Sequence, residues 1–328
     1  TSKENTCIYA SFLKEYYERA IELVRDIAFN STFPQKELDK EKEVILDEIN
    51  SYKDTPADLI FDDFEELVFH GHALGRNILG EKQYLRQFNK TSIEKFIRGN
   101  YHTDQIVFCT VGDIEPKKLV RFFEKHFMTI PRNYRRNGRI PFLRYKPQYK
   151  TENKNTYQAH CIIGGTAYKI THKNRLPLTL LNNLLGGPGM NARLNLLLRE
   201  KHALVYNIES GYIPYSDTGV FTIYFGTDKE HLEKTMQLIH KELDYIRNKK
   251  LGLMQLAKAK RQLTGQMIIS AESNVNRMLT LGKSILTFNK AESTETVVNK
   301  IEAVSASQIL ETANEILNKD NLSTLIYK

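Results

Sequence analysis

No run of eighteen apolar residues occurs in the 328-residue chain, so no segment has the make-up of a membrane-spanning helix. Cysteine is sparse and odd in number: Cys7, Cys109 and Cys161 lie in apolar, strand-like runs at spacings that match no metal-binding pattern. They read as buried thiols. Their scarcity leaves the compartment open between cytoplasmic and periplasmic and favours the reducing, cytoplasmic one. None of the nine histidines belongs to a His-x-x-Glu-His or a His-Glu-x-x-His pattern, which removes both helical two-histidine zinc signatures from these residues. Acid is missing from 131–150, PRNYRRNGRIPFLRYKPQYK, where three prolines and seven basic residues account for most of the net charge of +8.

That basic stretch supports two readings. Basic residues interleaved with Tyr134, Phe142, Tyr145 and Tyr149 could hold phosphates and stack bases. No recognised nucleic-acid motif accompanies them, however. A linker between two domains, spanning 131–156, is the reading carried forward, with no nucleic-acid partner expected. A basic surface of this kind could also favour acidic peptides through long-range attraction.

What the chain does have is a helical segment with acids in unusual places. In EKEVILDE, Glu41–Glu48, a 3.6-residue period puts Leu38, Val44, Ile45, Ile49 and Tyr52 on one arc, and Glu41 and Glu48 fall inside it. Asp39, Glu43 and Asp47 point the other way. Ionised carboxylates on an apolar arc ask for a cation, a metal or hydrogen-bond donors, so the pair is a candidate site. An internal salt bridge or a half-exposed helix edge is the alternative.

A degenerate internal repeat bears on that choice. Ile8-Tyr9, Lys14-Glu15 and Glu18 align at an offset of 215 with Ile223-Tyr224, Lys229-Glu230 and Glu233. Both copies read as strand, short turn and amphipathic helix. With three more residues allowed in the next loop, EKEVILDEI at 41–49 pairs with AKRQLTGQM at 259–267, where Ala259 and Gln266 replace Glu41 and Glu48. The acids therefore differ where the structural unit recurs, which points to chemistry in the first copy.

The remaining organisation is α+β, with helices following strand-like runs in both halves. Thr91 with Glu94 suggests a capping box before a helix, and IVFCTVGD after it reads as a strand. A helix over 305–317 and the strand LSTLIYK repeat this ending. His160 in the strand TYQAHCIIGGTAY, and His70 and His72 in a glycine-containing loop, read as structural rather than metal-binding. Gly186-Gly187-Pro188-Gly189 lacks the Lys-Ser or Lys-Thr of a phosphate loop and is explained by a tight turn before a helix.

Taken together, the helix at 41–49, HGHALGRNILG at 70–80, NYHTDQIVFCTVGDI at 100–114 and LLGGPGMNARLNLLLREKHALVY in the second half resemble the insulinase, pitrilysin and mitochondrial processing peptidase family nearly end to end. These are zinc peptidases with an inverted His-x-x-Glu-His motif. The resemblance implies two homologous domains, each a mostly antiparallel sheet covered by helices on one face: 1–130, catalytic in type, and 157–328, substrate-clamping. It implies that Glu48 is the distal zinc ligand, Glu41 a carboxylate supporting the site, and Arg199 and Tyr206 contacts to peptide substrate. By the repeat, the first domain is expected to lack roughly sixty leading residues, with the motif histidines and glutamate among them. The expectation is a fragment of a zinc endopeptidase that acts on extended peptides in a clamshell chamber, as a homodimer or paired with a homologous subunit. Zinc is expected in the intact protein, and neither bound zinc nor activity in the fragment. A non-catalytic partner or scaffold subunit is the alternative.

Overall fold

The β-branched and aromatic runs of the second half pair into a five-stranded sheet in a computed structural model that describes every residue but Asn137. The strands are β1 (Tyr149–Glu152), β2 (Ala159–Thr166), β3 (Val205–Pro214), β4 (Gly219–Thr227) and β5 (Ser323–Tyr327), in the order β1-β5-β2-β4-β3. All pairings are antiparallel except β1 with β5. The helices are α1 (Tyr17–Phe29), α2 (Gln35–Lys53), α3 (Pro56–Val68), α4 (Lys82–Leu85), α5 (Lys90–Asn100), α6 (Pro116–Phe127), α7 (Arg175–Gly186), α8 (Leu232–Asn248), α9 (Leu253–Ala271), α10 (Asn274–Phe288), α11 (Thr294–Glu302) and α12 (Ala306–Ile316). The class is α+β. Among the described residues no helix is long and apolar enough to cross a membrane.

The chain divides into two compact units, each assembled from separated segments. One holds Thr1–Asp47, Gly80–Arg139 and Ile268–Glu292, and the other Glu48–Leu79, Ile140–Met267 and Ser293–Lys328. Both units draw on segments distant in the chain, because packing follows apolar faces rather than chain order.

In the second unit both faces of the sheet are covered. One face carries Cys161, Ile163, Phe221, Ile223, Phe225 and Ile326, which form a single core with Leu178 and Leu181 of α7, Ile239 and Leu243 of α8, Leu263 of α9 and Ile309 of α12. The other presents Ile162, Tyr224, Leu325 and Tyr327 to Ile60, Phe64, Leu67 and Val68 of α3. Alternation along each strand sends neighbours to opposite faces, which is why Ile162 and Ile163 join different cores. The basic segment also does more than link. Phe142 packs edge-on against Phe69, the Tyr145 hydroxyl lies 2.9 Å from Ser323 Oγ, and Tyr149–Glu152 become a strand.

The first unit is helical among the described residues. IVFCTVGD, expected as a strand, makes no ladder there, because a strand needs a hydrogen-bonded neighbour. Its Phe108 packs instead on Phe123 and Phe127 of α6, ring centroids 5.3 and 5.5 Å away. The capping box before α5 is Asn89 with Ser92, not Thr91 with Glu94, as each of the first pair bonds the other's backbone N–H. Ser305 and Gln308 do the same for α12. Cys161 is buried and Cys109 half-buried, whereas Cys7, expected inside, is exposed.

Candidate functional site

Helix α2 forms where the period places it, but its apolar arc is open. Ile49 is the helix's one buried residue, and Val44 and Tyr52 are exposed. Glu41 and Glu48 are both exposed, two helical turns or about 10.5 Å apart along the axis. Among the described residues neither has a hydrogen bond or ion pair. The inward orientation with a buried partner is therefore not met. Periodicity identifies the side of a helix that favours a cover, and nothing in the helix itself supplies one.

A peptidase-type zinc centre takes three protein ligands and a water. No three His, Cys, Asp or Glu side chains converge in that manner among the described residues. The residues present do not fit a zinc site, and no chemical step is derived through the metal.

Arg199 and Tyr206 lie on consecutive elements of the second unit. Residues Asn195–Lys201 form a π-helical turn, with Arg199 exposed in its last residues. Such turns interrupt regular helices at a cost and recur at functional sites. The chain leaves it through Ala203 at φ +50°, with Ala203 N–H bonded to Arg199 O and Leu204 N–H to Leu198 O. Tyr206 follows as the extra residue of a β-bulge: Val205 pairs with Thr227 and Asn207 with Gly226. A bulge re-aims the side chain it carries. Here Tyr206 is 61% exposed and its phenol donates to the Asp228 carboxylate at 3.2 Å. The Asp228 charge, with this hydrogen bond, raises the Tyr206 pKa and keeps the hydroxyl protonated. The π turn, the bulge and Asp228 carried no sequence signal beyond the Arg-Tyr spacing.

The glycine loop serves close packing. A Cβ at Gly186 would lie 2.6 Å from the Ser210 backbone N of β3, so only glycine lets α7 end against the strand. On the other side Asn183 Nδ2 donates to Gln266 Oε1 at 2.7 Å and Asn191 Nδ2 to Gln262 Oε1 at 2.8 Å, tying the loop to α9. Gln266 is thus engaged in a structural bond.

Two of the histidines weighed in the sequence, His160 and His72, have structural partners. His160 is buried with Nδ1 2.9 Å from the Tyr224 hydroxyl, and burial lowers its pKa. His72 accepts from Leu74 N–H through Nδ1, and its Nε2 lies 2.8 Å from Ile140 O.

Residues 1–82 match the family model described as insulinase, peptidase family M16, and residues 87–263 match the model of the peptidase M16 inactive domain. An uncharacterized zinc protease of Bacillus subtilis (strain 168), YmxG, is 32% identical over 330 residues, 99% of this chain and 79% of that protein. An uncharacterized zinc protease of Rickettsia felis is 32% identical over 329 residues, 99% and 78% of the two chains. Among solved structures, a peptidase M16 inactive domain from Pseudomonas fluorescens superposes with TM-score 0.86 at 20% identity, covering 96% of this chain and 75% of that one. A protease from Helicobacter pylori gives 0.81 at 18%, covering 96% and 78%. At those identities the structures establish the fold alone.

Proposed function

Because this chain belongs to the insulinase family of peptidases, family M16, we propose that it is part of a zinc-dependent endopeptidase that cleaves extended peptides in a clamshell chamber. In this reading Glu48 is one carboxylate ligand of a metal whose other ligands are not among these residues, and Glu41 supports that centre. Arg199 and Tyr206 hold peptide carbonyls from the second half of the molecule, the guanidinium as a donor fork and the phenol as a donor that Asp228 keeps protonated. The partner is a second copy or a homologous subunit. The 328 residues alone, without two histidine ligands and a glutamate base, are inactive.

The observation that carries this reading is the contrast between two matched helices. α2 and α9 are each nineteen residues long and start 218 positions apart. The flanking elements keep register: 3-10 turns start at Lys14 and Lys229, α1 and α8 at Tyr17 and Leu232, and α3 and α10 at Pro56 and Asn274. This supports a division into two copies of one unit, 1–130 and 157–328 in sequence. Within that register Ala259 is buried and Gln266 bonds Asn183, whereas Glu41 and Glu48 are spent on nothing structural. Two acids that a fold does not use are available for chemistry.

A second reading, a non-catalytic partner subunit, is favoured by the inactive-domain match over 87–263. The deciding experiment uses the full-length protein from its natural host and a library of unstructured quenched-fluorescent peptides. The peptidase reading expects chelator-sensitive cleavage that Glu48→Gln abolishes, and that Tyr206→Phe weakens through KM more than kcat. No cleavage by the purified protein, with activity appearing only in a homologous partner and untouched by Glu48→Gln, would establish the scaffold reading.

A further inference from the structure

Helices α8 and α9 meet in a short turn, 249–252, held at both ends by backbone bonds. Lys249 N–H donates to Tyr245 O at 2.9 Å and Leu256 N–H to Gly252 O at 3.0 Å. Leu251 is buried and anchors the turn, while Lys249 and Lys250 are exposed. The next two residues are aliphatic and face water: Leu253 is 89% and Met254 72% exposed. Along the outward stripe of α9, Ala257, Lys258 and Arg261 continue from Met254 and are exposed as well, whereas Leu256, Ala259 and Leu263 enter the core from the opposite side. Residues 245–271 hold six basic residues and no acid. The acids just before them are engaged: Glu242 accepts from Arg193 at 2.5 Å and Asp244 from Arg247 at 3.2 Å. Arg193 and Lys249 both lie over the Tyr245 ring, 5.1 and 5.2 Å from its centroid.

We propose that the α8–α9 turn docks the protein on an anionic lipid surface, with Leu253 and Met254 entering the bilayer interface and the neighbouring lysines meeting headgroup phosphates. Two features of different kind select that occupant. Exposed aliphatic side chains gain by leaving water only where apolar matter receives them, and the boundary between headgroups and acyl chains, about 5–10 Å deep, does so. The cations add an attraction that a neutral bilayer does not return, each worth about fivefold in partition near an anionic leaflet. RNA would satisfy the charge and leave the aliphatic pair in water. Tyr245, the one aromatic residue of 241–271, is moreover engaged by two cations rather than free to stack on a base. The surface uses none of Glu41, Glu48, Arg199 and Tyr206, and it stands whether or not the chain is part of an active peptidase.

The test is co-sedimentation of the full 328-residue chain with vesicles of phosphatidylcholine containing about one third phosphatidylglycerol, and with vesicles of phosphatidylcholine alone. Binding to the anionic vesicles only is expected, weakening as salt rises from about 50 to about 500 mM. Leu253→Ser with Met254→Ser should weaken it about tenfold at unchanged charge. Lys250→Ala with Lys258→Ala should also cost about tenfold. Lys95→Ala with Lys117→Ala, an equal charge change at exposed sites on α5 and α6, should leave binding unaltered. Because the chain has no tryptophan, Leu253→Trp supplies a single reporter whose emission should shift to the blue on anionic vesicles. No binding to those vesicles, equal binding to neutral ones, equal loss in the two lysine pairs, or bound protein whose Trp emission stays unshifted would overturn the proposal. Binding of polyuridylate in place of vesicles, or a dimer in solution that the serine pair dissolves, would assign the turn to nucleic acid or to a second copy and overturn it as well.

Discussion

Removing the Phe64 ring tests whether α3 belongs to the sheet-bearing unit, although it lies in the first fifth of the chain. Phe64 is fully buried, with Ile60 and Phe69 at 0% exposure and Val68 at 2% beside it in the core that contains Ile162 and Leu325. A phenylalanine so enclosed costs about 3–5 kcal/mol when cut to alanine, the transfer term plus the cavity. At about 2–4 °C per kcal/mol for a unit of about 200 residues, the melting point should fall by about 6–20 °C. Phe96→Ala, 59% exposed on α5, is the control and should stay within about 0.5 kcal/mol. Hydrogen exchange followed by mass spectrometry decides where the stability is lost. Peptides covering β2 and β5 should lose protection together with 56–68, because one core holds all three. If 56–68 opens while β2 and β5 keep full protection, α3 is not part of that unit and the reasoning fails.

Three further outcomes follow from particular contacts. His160 is depressed by burial, so the unfolded chain takes up a proton near pH 6.5 while the native form stays neutral. Its contribution is intact above that pH and falls away as pH drops toward the lowered folded value. His160→Gln should flatten that part of a urea-midpoint profile, and an unchanged slope would refute the assignment. Asn89→Ala removes the cap of α5 and should cost about 0.5–2 kcal/mol, read from the denaturation midpoint. Gly186→Ala forces a methyl onto the Ser210 amide and should destabilise by about 1–3 kcal/mol. A neutral result there would mean that α7 can withdraw from β3.

Much of the local structure was legible in the sequence because it rests on local chemistry. The 3.6-residue period gave α2, the helix-then-strand ending gave the helix over 305–317, and β-branched runs gave β2 and β5. The matched spacing of Glu41 and Glu48 with Ala259 and Gln266 was likewise visible as a pattern. What could not be read were properties set by a neighbour distant in sequence. IVFCTVGD has the composition of a strand and makes no ladder, since pairing depends on a second segment at hydrogen-bonding distance. The arc of α2 is apolar yet open, because amphipathicity describes one surface and burial requires two. Tyr206 was legible as a residue, while its bulge and its bond to Asp228 come from the register of β3 on β4. The core that α3 shares with the sheet exists only because α3 folds onto strands that begin about eighty residues later. By itself the sequence determined the charge, the family and those elements that rest on local periodicity; tertiary packing alone decided which runs pair as strands and which apolar faces are covered, since burial is a property of pairs of surfaces.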